Sequence, residues 1–403
     1  MSNPSTSPSI SITSLPREIL LKILTGLPAK STVRFRCTSK FFYSFIPEPR
    51  FAFRTLVALP SRTHRDLNLY SVNYREQSHG NLQADTAQRL DVEADLVSSA
   101  DGKMCLCHES LFGDEGDEAV DLSTGRCICL PSIAYPAGRT QQSFSSLAYS
   151  CSSLGFDSVS ERYKVFKSVV YYEDDHDVSS EGLKLLWVLT VGVDKSWRQI
   201  ECTITGYTRD AVCIHGIIYL IPEVLAMRSS IEPKIVAIDI ATESFITSIP
   251  FPFEYYFLQQ LGQGELTWMK LSGRLAFIII LGQQNASQML RTRTWRDTTW
   301  PKRVDIWRWE RSMEWEKQTI LLPLEERKMI REATSMSFTA NSIGEILLLI
   351  QSERMMSPLV LIYSFEREVW RKFKIHGLND YAHDAIHWRC FLHVIEDQVD
   401  FLE

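Results

Sequence analysis

Cysteine and histidine side chains lie close together at two places in the chain, a pattern that could indicate a zinc site. Cys105, Cys107 and His108 form a Cys-x-Cys-His run, and Cys127 with Cys129 repeats the Cys-x-Cys spacing. Residues two apart in a strand point to the same side, so each pair could face one ion. Structural zinc sites, however, separate their ligands by two to four residues within a turn. The spacing favours ordinary strand residues, and we predict no metal.

A second candidate for metal chemistry is the pair His383 and His387 in the segment His-Asp-Ala-Ile-His. A spacing of four places both side chains on one face of a helix. No third ligand is evident, and Asp384 occupies the position at which zinc proteases carry a glutamate base. The sequence also has no glycine-rich phosphate loop and no nucleophile elbow. We therefore expect a non-catalytic protein without a cofactor.

The segment 291–303 interleaves basic residues with tryptophan. Such a segment can stack bases and contact phosphates, or it can bind an acidic or aromatic protein surface through cation–π and arginine–carboxylate contacts. A solvated loop is the third interpretation. The candidate substrate contacts are Arg293, Trp295, Arg296 and Trp300, with a protein as the expected partner. Every tryptophan of the chain follows Leu186, which predicts that the later repeats pack differently or present an aromatic surface.

Composition and charge exclude several classes of protein. Because the net charge is -6, we do not expect the chain as a whole to bind nucleic acid or an anionic membrane. Nine cysteines, several of them in apolar runs, are typical of reduced thiols, so we expect a cytoplasmic or nuclear location. The longest aliphatic runs are too short to cross a bilayer, and the Ser/Thr/Pro-rich start lacks the apolar region of a signal peptide.

Three short helices are predicted between Leu15 and Ile46. In the first, apolar residues between Ile19 and Leu27 line one helical face. Ser14 is its predicted cap, and Gly26 with Pro28 ends it. Helices this short cannot bury so many large apolar groups against one another. We therefore expect part of their surface to contact a partner.

Most of the chain after residue 96 shows the pattern of short strands separated by turn residues. Residues 66–76 also alternate as a strand does, whereas 51–65 is predicted to be a linker with a helix over 51–59, and 77–95 a loop. Minor helices are predicted over 222–229 and 323–331. The clearest strands are Met104–Cys107, Cys127–Leu130, Tyr163–Val170, Leu185–Val191, Val212–Ile221, Ile235–Ile240, Leu275–Leu281 and Leu359–Tyr363.

Two patterns recur at regular intervals along this region. A polar residue followed by glycine precedes an apolar strand at Gly102, Gly216 and Gly273, and the first of these intervals is twice the second. A strand followed by a polar turn recurs around Asp121, Asp239 and Tyr363, at nearly equal intervals that are close to the longer glycine interval. A repeat of about 60 residues predicts a six-bladed β-propeller, with seven blades or a distorted sandwich as alternatives.

The N-terminal segment resembles the F-box, the adaptor-binding motif of Skp–cullin–F-box ubiquitin ligases. The family pattern Leu-Pro-x-Glu is matched by Leu15-Pro16-Arg17-Glu18, and its Ile-Leu and Leu-Pro pairs by Ile23-Leu24 and Leu27-Pro28. A basic-aromatic-basic-Cys run follows at Arg34–Cys37, and then a lysine with an aromatic helix at Lys40–Phe45. The chain departs from the family at Thr38, Ser39 and Phe42, where the family often has Val-Cys and Trp.

The β region resembles the F-box-associated, kelch-like domain of plant F-box proteins. The matching elements, in chain order, are Gly102–Leu106, Gly155-Phe156-Asp157 with Tyr163-Lys164-Val165, Ser196-Trp197-Arg198, His215–Leu220, Ile238-Asp239 with Ile249-Pro250, and Val304–Trp307. In such families the segment before the first blade often closes the ring, which implies that 66–76 pairs with C-terminal strands. We therefore predict an α+β multidomain chain: a disordered N-terminus over 1–10, a three-helix F-box over 11–50, a linker over 51–65 and an all-β, kelch-like propeller over 66–403.

These resemblances imply the substrate-recognition subunit of a ubiquitin ligase, which binds a Skp-type adaptor, and through it a cullin, and recruits a protein substrate. Neither nucleic acid nor membrane is expected as a partner. An adaptor-independent protein- or glycan-binding scaffold with a degenerate F-box is the first alternative, and a propeller hydrolase or oxidase is the second. The implied adaptor contacts are Leu15, Pro16, Ile19, Ile23, Leu27, Pro28, Val33, Arg36, Lys40 and Phe42.

Overall fold

The structure is a computed structural model. It describes residues 16, 19–20, 38–45, 53–60, 67–76, 82–84, 88–90, 95–100, 103–108, 116–121, 126–133, 146–172, 183–202, 208–222, 234–252, 266–283, 299–331, 333, 335–341, 343–351, 358–375 and 391–395. The helix predicted over 222–229 and the start at 1–10 lie outside these ranges, except for residue 222, which ends a strand.

Within the described residues, strands form six antiparallel sheets, named A to F here. Sheet A consists of β1 (Phe53–Pro60), β2 (Leu67–Glu76), β3 (Leu82–Ala84), β4 (Gln88–Leu90) and β25 (Phe391–Ile395). Sheet B consists of β5 (Asp95–Ala100), β6 (Lys103–His108), β7 (Gly116–Asp121) and β8 (Arg126–Cys129). Sheet C consists of β9 (Ser146–Asp157), β10 (Arg162–Tyr172), β11 (Leu183–Thr190) and β12 (Arg198–Ile200).

In the remaining three sheets, as in sheets B and C, four strands that follow one another in the chain lie side by side in that order. Sheet D consists of β13 (Thr208–Ile214), β14 (Ile217–Pro222), β15 (Lys234–Asp239) and β16 (Ser244–Pro250). Sheet E consists of β17 (Leu266–Leu271), β18 (Arg274–Gln283), β19 (Thr299–Trp309) and β20 (Trp315–Leu321). Sheet F consists of β21 (Ser335–Ala340), β22 (Ile346–Gln351), β23 (Leu359–Ser364) and β24 (Val369–Lys374).

The described helices are few and short. Helix α1 (Lys40–Phe45) lies within the predicted third N-terminal helix, and of the predicted first helix only Ile19 and Leu20 are described as helical. Between sheets E and F, a 3₁₀ turn at Leu324–Glu326 continues into α2 (Arg327–Arg331). The helix predicted over 323–331 is therefore confirmed. None of the described helices is long and apolar enough to cross a membrane.

Neighbouring sheets pack through their first strands. Strand β9 contacts β5 and β13, β17 contacts β13 and β21, and β21 contacts β25. The close approach is visible at Gly155, where an added Cβ would lie 2.5 Å from the Ile240 side chain and 3.5 Å from the Cys213 sulfur. Sheets arranged radially around their first strands are the β-propeller architecture.

The apolar core lies between the faces of adjacent sheets. One cluster joins Leu130, which directly follows the last strand of sheet B, to Val165 and Leu189 of sheet C. Another cluster joins sheets C and D through Phe166 and Ile238. Two further clusters join sheet D to E and E to F. Because sheet faces are covered on both sides, their inner strands carry continuous apolar runs such as β22, which is buried throughout.

The predicted helix over 51–59 is wrong, because residues 53–60 form strand β1. This strand lies between β2 and β25, pairing Arg54 with both Asn73 and Ile395. The strand beside the C-terminal β25 is therefore β1 and not the 66–76 segment, for which this pairing is predicted above. The conformation of a short ambiguous segment is decided by the strands that pair with it on both sides. A local stretch of sequence does not contain this information. The predicted loop over 77–95 also contains strands β3 and β4.

The repeat intervals found in the sequence correspond to positions within the sheets. Gly216 and Gly273 lie in the first–second turns of the adjacent sheets D and E, and residues 101–102 separate the first two strands of sheet B. Asp121, Asp239 and Tyr363 lie on the third strands of sheets B, D and F. The shorter glycine interval therefore corresponds to one sheet, and each of the longer intervals corresponds to two.

Candidate functional site

The described part of the N-terminal segment combines exposed and buried apolar groups. The Pro16 carbonyl accepts hydrogen bonds from the amides of Ile19 and Leu20, both at 3.1 Å, as at the start of a helix. Pro16 and Ile19 are exposed, whereas Leu20 is buried. The predicted contacts Pro16 and Ile19 are thus on the surface of this chain, where a partner can reach them.

Ser39 begins α1. Its side-chain oxygen accepts a hydrogen bond from the Phe42 amide at 3.2 Å, the geometry of an N-cap. The Ser39 departure from the family pattern therefore retains a helix start. Phe41 and Phe42 are in edge-to-face contact, with ring centroids 5.2 Å apart. Phe41 is 36 % exposed and Phe42 only 6 %, so Phe41 presents the larger aromatic surface although sequence reasoning named only Phe42.

The other predicted contacts divide into two groups. Lys40 is exposed on α1, and the backbone of Trp300 lies in β19, next to the start of that strand. The following predicted residues lie outside the described residues and stay predictions: Leu15, Ile23, Leu27, Pro28, Val33, Arg36, Arg293, Trp295 and Arg296. The pair His383 and His387 lies outside them as well.

The four cysteines of sheet B lie on two strands that are separated by a third strand. Cys105 and Cys107 lie on β6, and Cys127 and Cys129 lie on β8, with β7 between them. The backbones of the two cysteine pairs are therefore two strand spacings apart, which is about 10 Å. The described residues contain no group of three candidate metal ligands.

A buried ionic cluster joins sheets C and D. The Lys164 ammonium group on β10 lies 3.1 Å from Asp157 Oδ2 and 2.8 Å from Glu243 Oε1, and it donates to the Ile240 carbonyl at 2.9 Å. Arg198 on β12 binds Glu243 through both terminal nitrogens, at 2.5 and 2.9 Å. Asp157, Lys164 and Arg198 belong to sheet C and Glu243 to the last turn of sheet D, so the cluster crosses the sheet boundary.

The pKa values within this cluster favour the charged forms. Burial raises the pKa of Asp157, but hydrogen bonds from the Ser160 hydroxyl, the Val159 amide and Lys164 outweigh it and lower the pKa to about 2. The hydrogen bond from Arg198 is the main cause that lowers the pKa of Glu243, against the effect of burial. Burial lowers the pKa of Lys164, yet its two carboxylate partners raise it overall. Groups that stay ionised in this way act as a structural brace and not as proton donors or acceptors.

Tryptophan indoles form a second kind of brace between sheets. Trp197 of sheet C donates to the Pro131 carbonyl of sheet B's exit at 2.5 Å. Trp315 of sheet E donates to Pro250 of sheet D at 2.8 Å, and Trp370 of sheet F donates to Leu321 of sheet E at 2.8 Å. These three tryptophans therefore pack between neighbouring sheets in the same way at three boundaries, a role that neither interpretation of the late tryptophans included.

The boundary between sheets C and D lacks this indole brace among the described residues. Phe245, opposite Ile238 in β15, occupies the register position that Trp370 occupies opposite Tyr363, and it has no N–H to donate. The Lys164–Glu243–Arg198 cluster is at this same boundary. Sequence reasoning missed this cluster. The available signal was a charged residue inside an apolar run, Lys164, together with a glutamate in a turn of the following sheet, Glu243.

The turns between the first and second strands of a sheet, and between its third and fourth strands, contain exposed apolar residues. The first–second turns of sheets D, E and F are neighbours: a Cβ at Gly273 would lie 2.9 Å from His215 Nε2, and a Cβ at Gly344 would lie 2.5 Å from Ser272 Oγ. Among the described residues, the exposed apolar residues at this end of the sheets include Val159, Val193, Met313, Ile343 and Val369. This end, called the turn end below, is therefore a surface able to contact another protein.

Comparison with known proteins places these features in a family. The model of the F-box domain matches residues 12–54, and that of the F-box associated beta propeller domain matches residues 62–399. Among curated proteins of Arabidopsis thaliana, "F-box protein At1g30790" is 27 % identical over 412 residues, covering 94 % of this chain and 92 % of that protein. "F-box protein DOR" is 24 % identical over 221 residues, covering 51 % and 54 %.

Solved structures give only a distant likeness. The TolB protein of Acinetobacter baumannii is 13 % identical to this chain, with a TM-score of 0.42. The match covers 88 % of this chain and 68 % of the TolB chain. The family models span both the N-terminal helical segment and nearly all of the β region. The chain therefore belongs to the F-box proteins that carry an F-box associated β-propeller domain.

Proposed function

We propose that this protein is a substrate-recognition subunit of a Skp–cullin–F-box ubiquitin ligase. The observation that supports this function best is that a match to the F-box and a match to the associated propeller follow one another in a single chain. The F-box binds a Skp-type adaptor, which links the chain to a cullin, and the propeller holds a protein substrate. The chain itself contributes proximity and no chemistry.

The adaptor contact rests on the exposed apolar groups of the N-terminal segment. Pro16, Ile19 and Phe41 lie on the surface, whereas Leu20 and Phe42 are buried. The capped start of α1 at Ser39 favours a working F-box over a degenerate one. The scaffold alternative is favoured if the adaptor does not bind. No group among the described residues favours a hydrolase or oxidase.

The propeller in this proposal has six blades, sheets A to F, and is closed by pairing of the C-terminal β25 with β1. Its substrate is a protein, for which the contacts Arg293, Trp295, Arg296 and Trp300 remain predictions. Reduced cysteines suit a cytoplasmic or nuclear location. Neither nucleic acid nor a membrane is part of this proposal.

The test is a binding titration of the full chain against a purified plant Skp-family adaptor. We expect sub-micromolar affinity, and its loss when Leu15 and Pro16 are both replaced by alanine. The matched control replaces the exposed Val159 and Val193 of the turn end by serine, and it should bind as the wild type does. Absence of binding by the folded wild-type chain would overturn the ligase role and favour the scaffold.

A further inference from the structure

We propose that a basic surface with two exposed leucines, where sheet E leads into sheet F, binds an acidic segment of a partner protein that also contains apolar side chains. The surface, called the leucine surface below, lies at the end of the sheets opposite the turn end, because β20 runs from the turn at residues 310–314 to that end. It consists of Arg303, Leu321, Leu324, Arg327, Lys328 and Lys374. The inference deepens the proposed function, and it rests on that function only in calling the partner a substrate.

Two leucines form the apolar centre of this surface. Leu321, the last residue of β20, is 61 % exposed, and Leu324, in the 3₁₀ turn that follows, is 67 % exposed. Among the large apolar side chains that the structure describes, only Val159 is more exposed. The two leucines are three residues apart, so their Cα atoms are separated by at most about 11 Å. Single exposed leucines are ordinary, whereas two neighbouring ones offer an apolar patch to a partner.

The backbone of the leucine surface is fixed to sheet F. The Leu321 carbonyl accepts a hydrogen bond from the Trp370 indole at 2.8 Å, and the buried Glu326 carboxylate forms an ion pair with Lys372. Ile330 of α2 is fully buried in the apolar core between sheets E and F. The leucines are therefore held on a rigid support, and a partner can bind them without first ordering the segment.

Basic residues lie on both sides of the apolar patch. Leu324, Arg327 and Lys328 are spaced by three and four residues along the 3₁₀ turn and α2, which places them on one face of the helical segment. All three side chains are exposed. On the other side, Arg303 of β19 pairs in register with Leu321, one strand spacing of about 5 Å away. A partner that covers the leucines therefore meets basic groups at its edges.

The carboxylates nearby do not cancel this basic charge. The segment 317–331 contains four Lys or Arg and two glutamates. Glu326 is paired with Lys372, and of the two only Glu325 is exposed. Lys328 and Lys374 form no ion pair with any residue that the structure describes. Although the whole chain has a net charge of -6, this corner is basic and attracts acidic segments.

A protein segment fits the leucine surface better than an anionic membrane does. A helix that binds a membrane surface inserts a continuous apolar face. Here the inner face of α2 is already buried through Ile330, and the exposed Glu325 carboxylate lies next to Leu324 in the chain. A peptide whose apolar side chains contact the leucines, and whose carboxylates pair with Arg327 and Lys328, matches both the apolar centre and the basic rim.

The experiment is a selection from a random dodecapeptide phage library on the full chain, without adaptor. Enriched peptides are synthesised, and their affinities are measured by fluorescence anisotropy. We expect peptides that combine several Asp or Glu with Leu, Ile or Phe, and an affinity that falls as the salt concentration rises. No enrichment, or enriched peptides without an excess of carboxylates, would overturn the proposal.

Two double variants test the apolar and the basic part separately. Leu321→Ser with Leu324→Ser removes the apolar centre, and Lys328→Glu with Lys374→Glu reverses the charge of the rim. Each should lower the affinity of the selected peptides about tenfold, because each removes one of the two features that the peptides match. All four side chains are exposed, so these changes leave the core intact. Selected peptides that bind both variants as tightly as the wild type would refute the surface.

The matched controls change exposed residues of the turn end. Val159→Ser with Val193→Ser, and separately Lys195→Glu, should leave the peptide affinity unchanged. Losses as large as those of the test variants would contradict the assignment to the leucine surface.

Vesicles that contain phosphatidylserine are the second probe. Binding to these vesicles without binding to any acidic peptide would assign the surface to a membrane and overturn the protein partner. The result is also distinct from that of the adaptor titration. Peptide binding by a chain that does not bind the adaptor would retain the leucine surface and remove the ligase role, and the reverse outcome would remove the surface alone.

Discussion

The Lys164 ammonium group and the Glu243 carboxylate are 2.8 Å apart across the boundary between sheets C and D. The lysine side chain is only 7 % exposed, and Asp157 is its second carboxylate partner. Sheets C and D are thus joined by an ionic contact at the boundary where no indole brace is present among the described residues. Asp157 and Lys164 therefore have a structural role in this protein, because with Glu243 they join sheet C to sheet D.

Replacing Lys164 by methionine should strongly destabilise the propeller. Loss of one partner from a buried ion pair typically costs about 3–5 kcal/mol, since the other charge stays buried and unpaired. The measurement is the free energy of unfolding from urea denaturation of the full chain. Lys195→Met, at an exposed turn position of the same sheet, is the matched control and should have little effect. Similar stability of the two variants would show that the cluster does not brace the boundary.

Acid should weaken the same boundary through Asp157. Its pKa is about 2 in the folded protein and about 3.9 in an unfolded chain. The stabilisation is therefore fully present above about pH 4 and is lost as the pH falls toward 2, a change of about 2 kcal/mol for this group. Unfolding free energies of wild type and Asp157→Asn should converge between about pH 5 and about pH 2.5. A gap that stays constant over this range would contradict the assignment.

Sequence reasoning was effective where the relevant signal was local. Apolar runs such as that around Leu275 identified the inner strands, and the glycine intervals corresponded to one or two sheets. Strand β1 was missed because its partner β25 lies near the opposite end of the chain. The boundary contacts of Lys164 and Trp370 were missed for the same reason, since their partners lie in neighbouring sheets and far away in the sequence. A single sequence marks which residues are unusual but not which of them meet.

The indole brace between sheets E and F predicts a modest effect of Trp370→Phe. This change keeps an aromatic ring but removes the donor to the Leu321 carbonyl. A lost hydrogen bond of this kind costs about 1 kcal/mol. Phe245→Leu changes the register-equivalent ring of sheet D, where no such bond exists, and should cost less. Equal losses in the unfolding free energy would mean that ring packing, and not the indole bond, stabilises the boundary.

Glycine substitutions should separate backbone strain from steric contact in the first–second turns. Gly216 and Gly344 both have positive φ, at 78° and 85°, but only Gly344 would place a Cβ against Ser272 Oγ, at 2.5 Å. Gly216→Ala should cost about 1 kcal/mol from strain alone, and Gly344→Ala distinctly more. Adding Ser272→Ala to Gly344→Ala should restore stability toward the Gly216→Ala value. No rescue in this double variant would show that the sheet E–F contact at the turns is loose.

The cap of α1 links helix stability to adaptor binding. Ser39→Ala removes the acceptor for the Phe42 amide, and loss of an N-cap costs a helix about 1 kcal/mol. If α1 must be formed to bind the adaptor, the affinity of the full chain should fall about fivefold, the factor that about 1 kcal/mol corresponds to. Ser39→Asp, which retains a capping oxygen, should bind like the wild type, whereas Phe42→Ala, which removes the buried ring, should lower the affinity further than Ser39→Ala. An affinity that Ser39→Ala leaves unchanged would place the adaptor contact on the first helix around Pro16 and Ile19, away from α1.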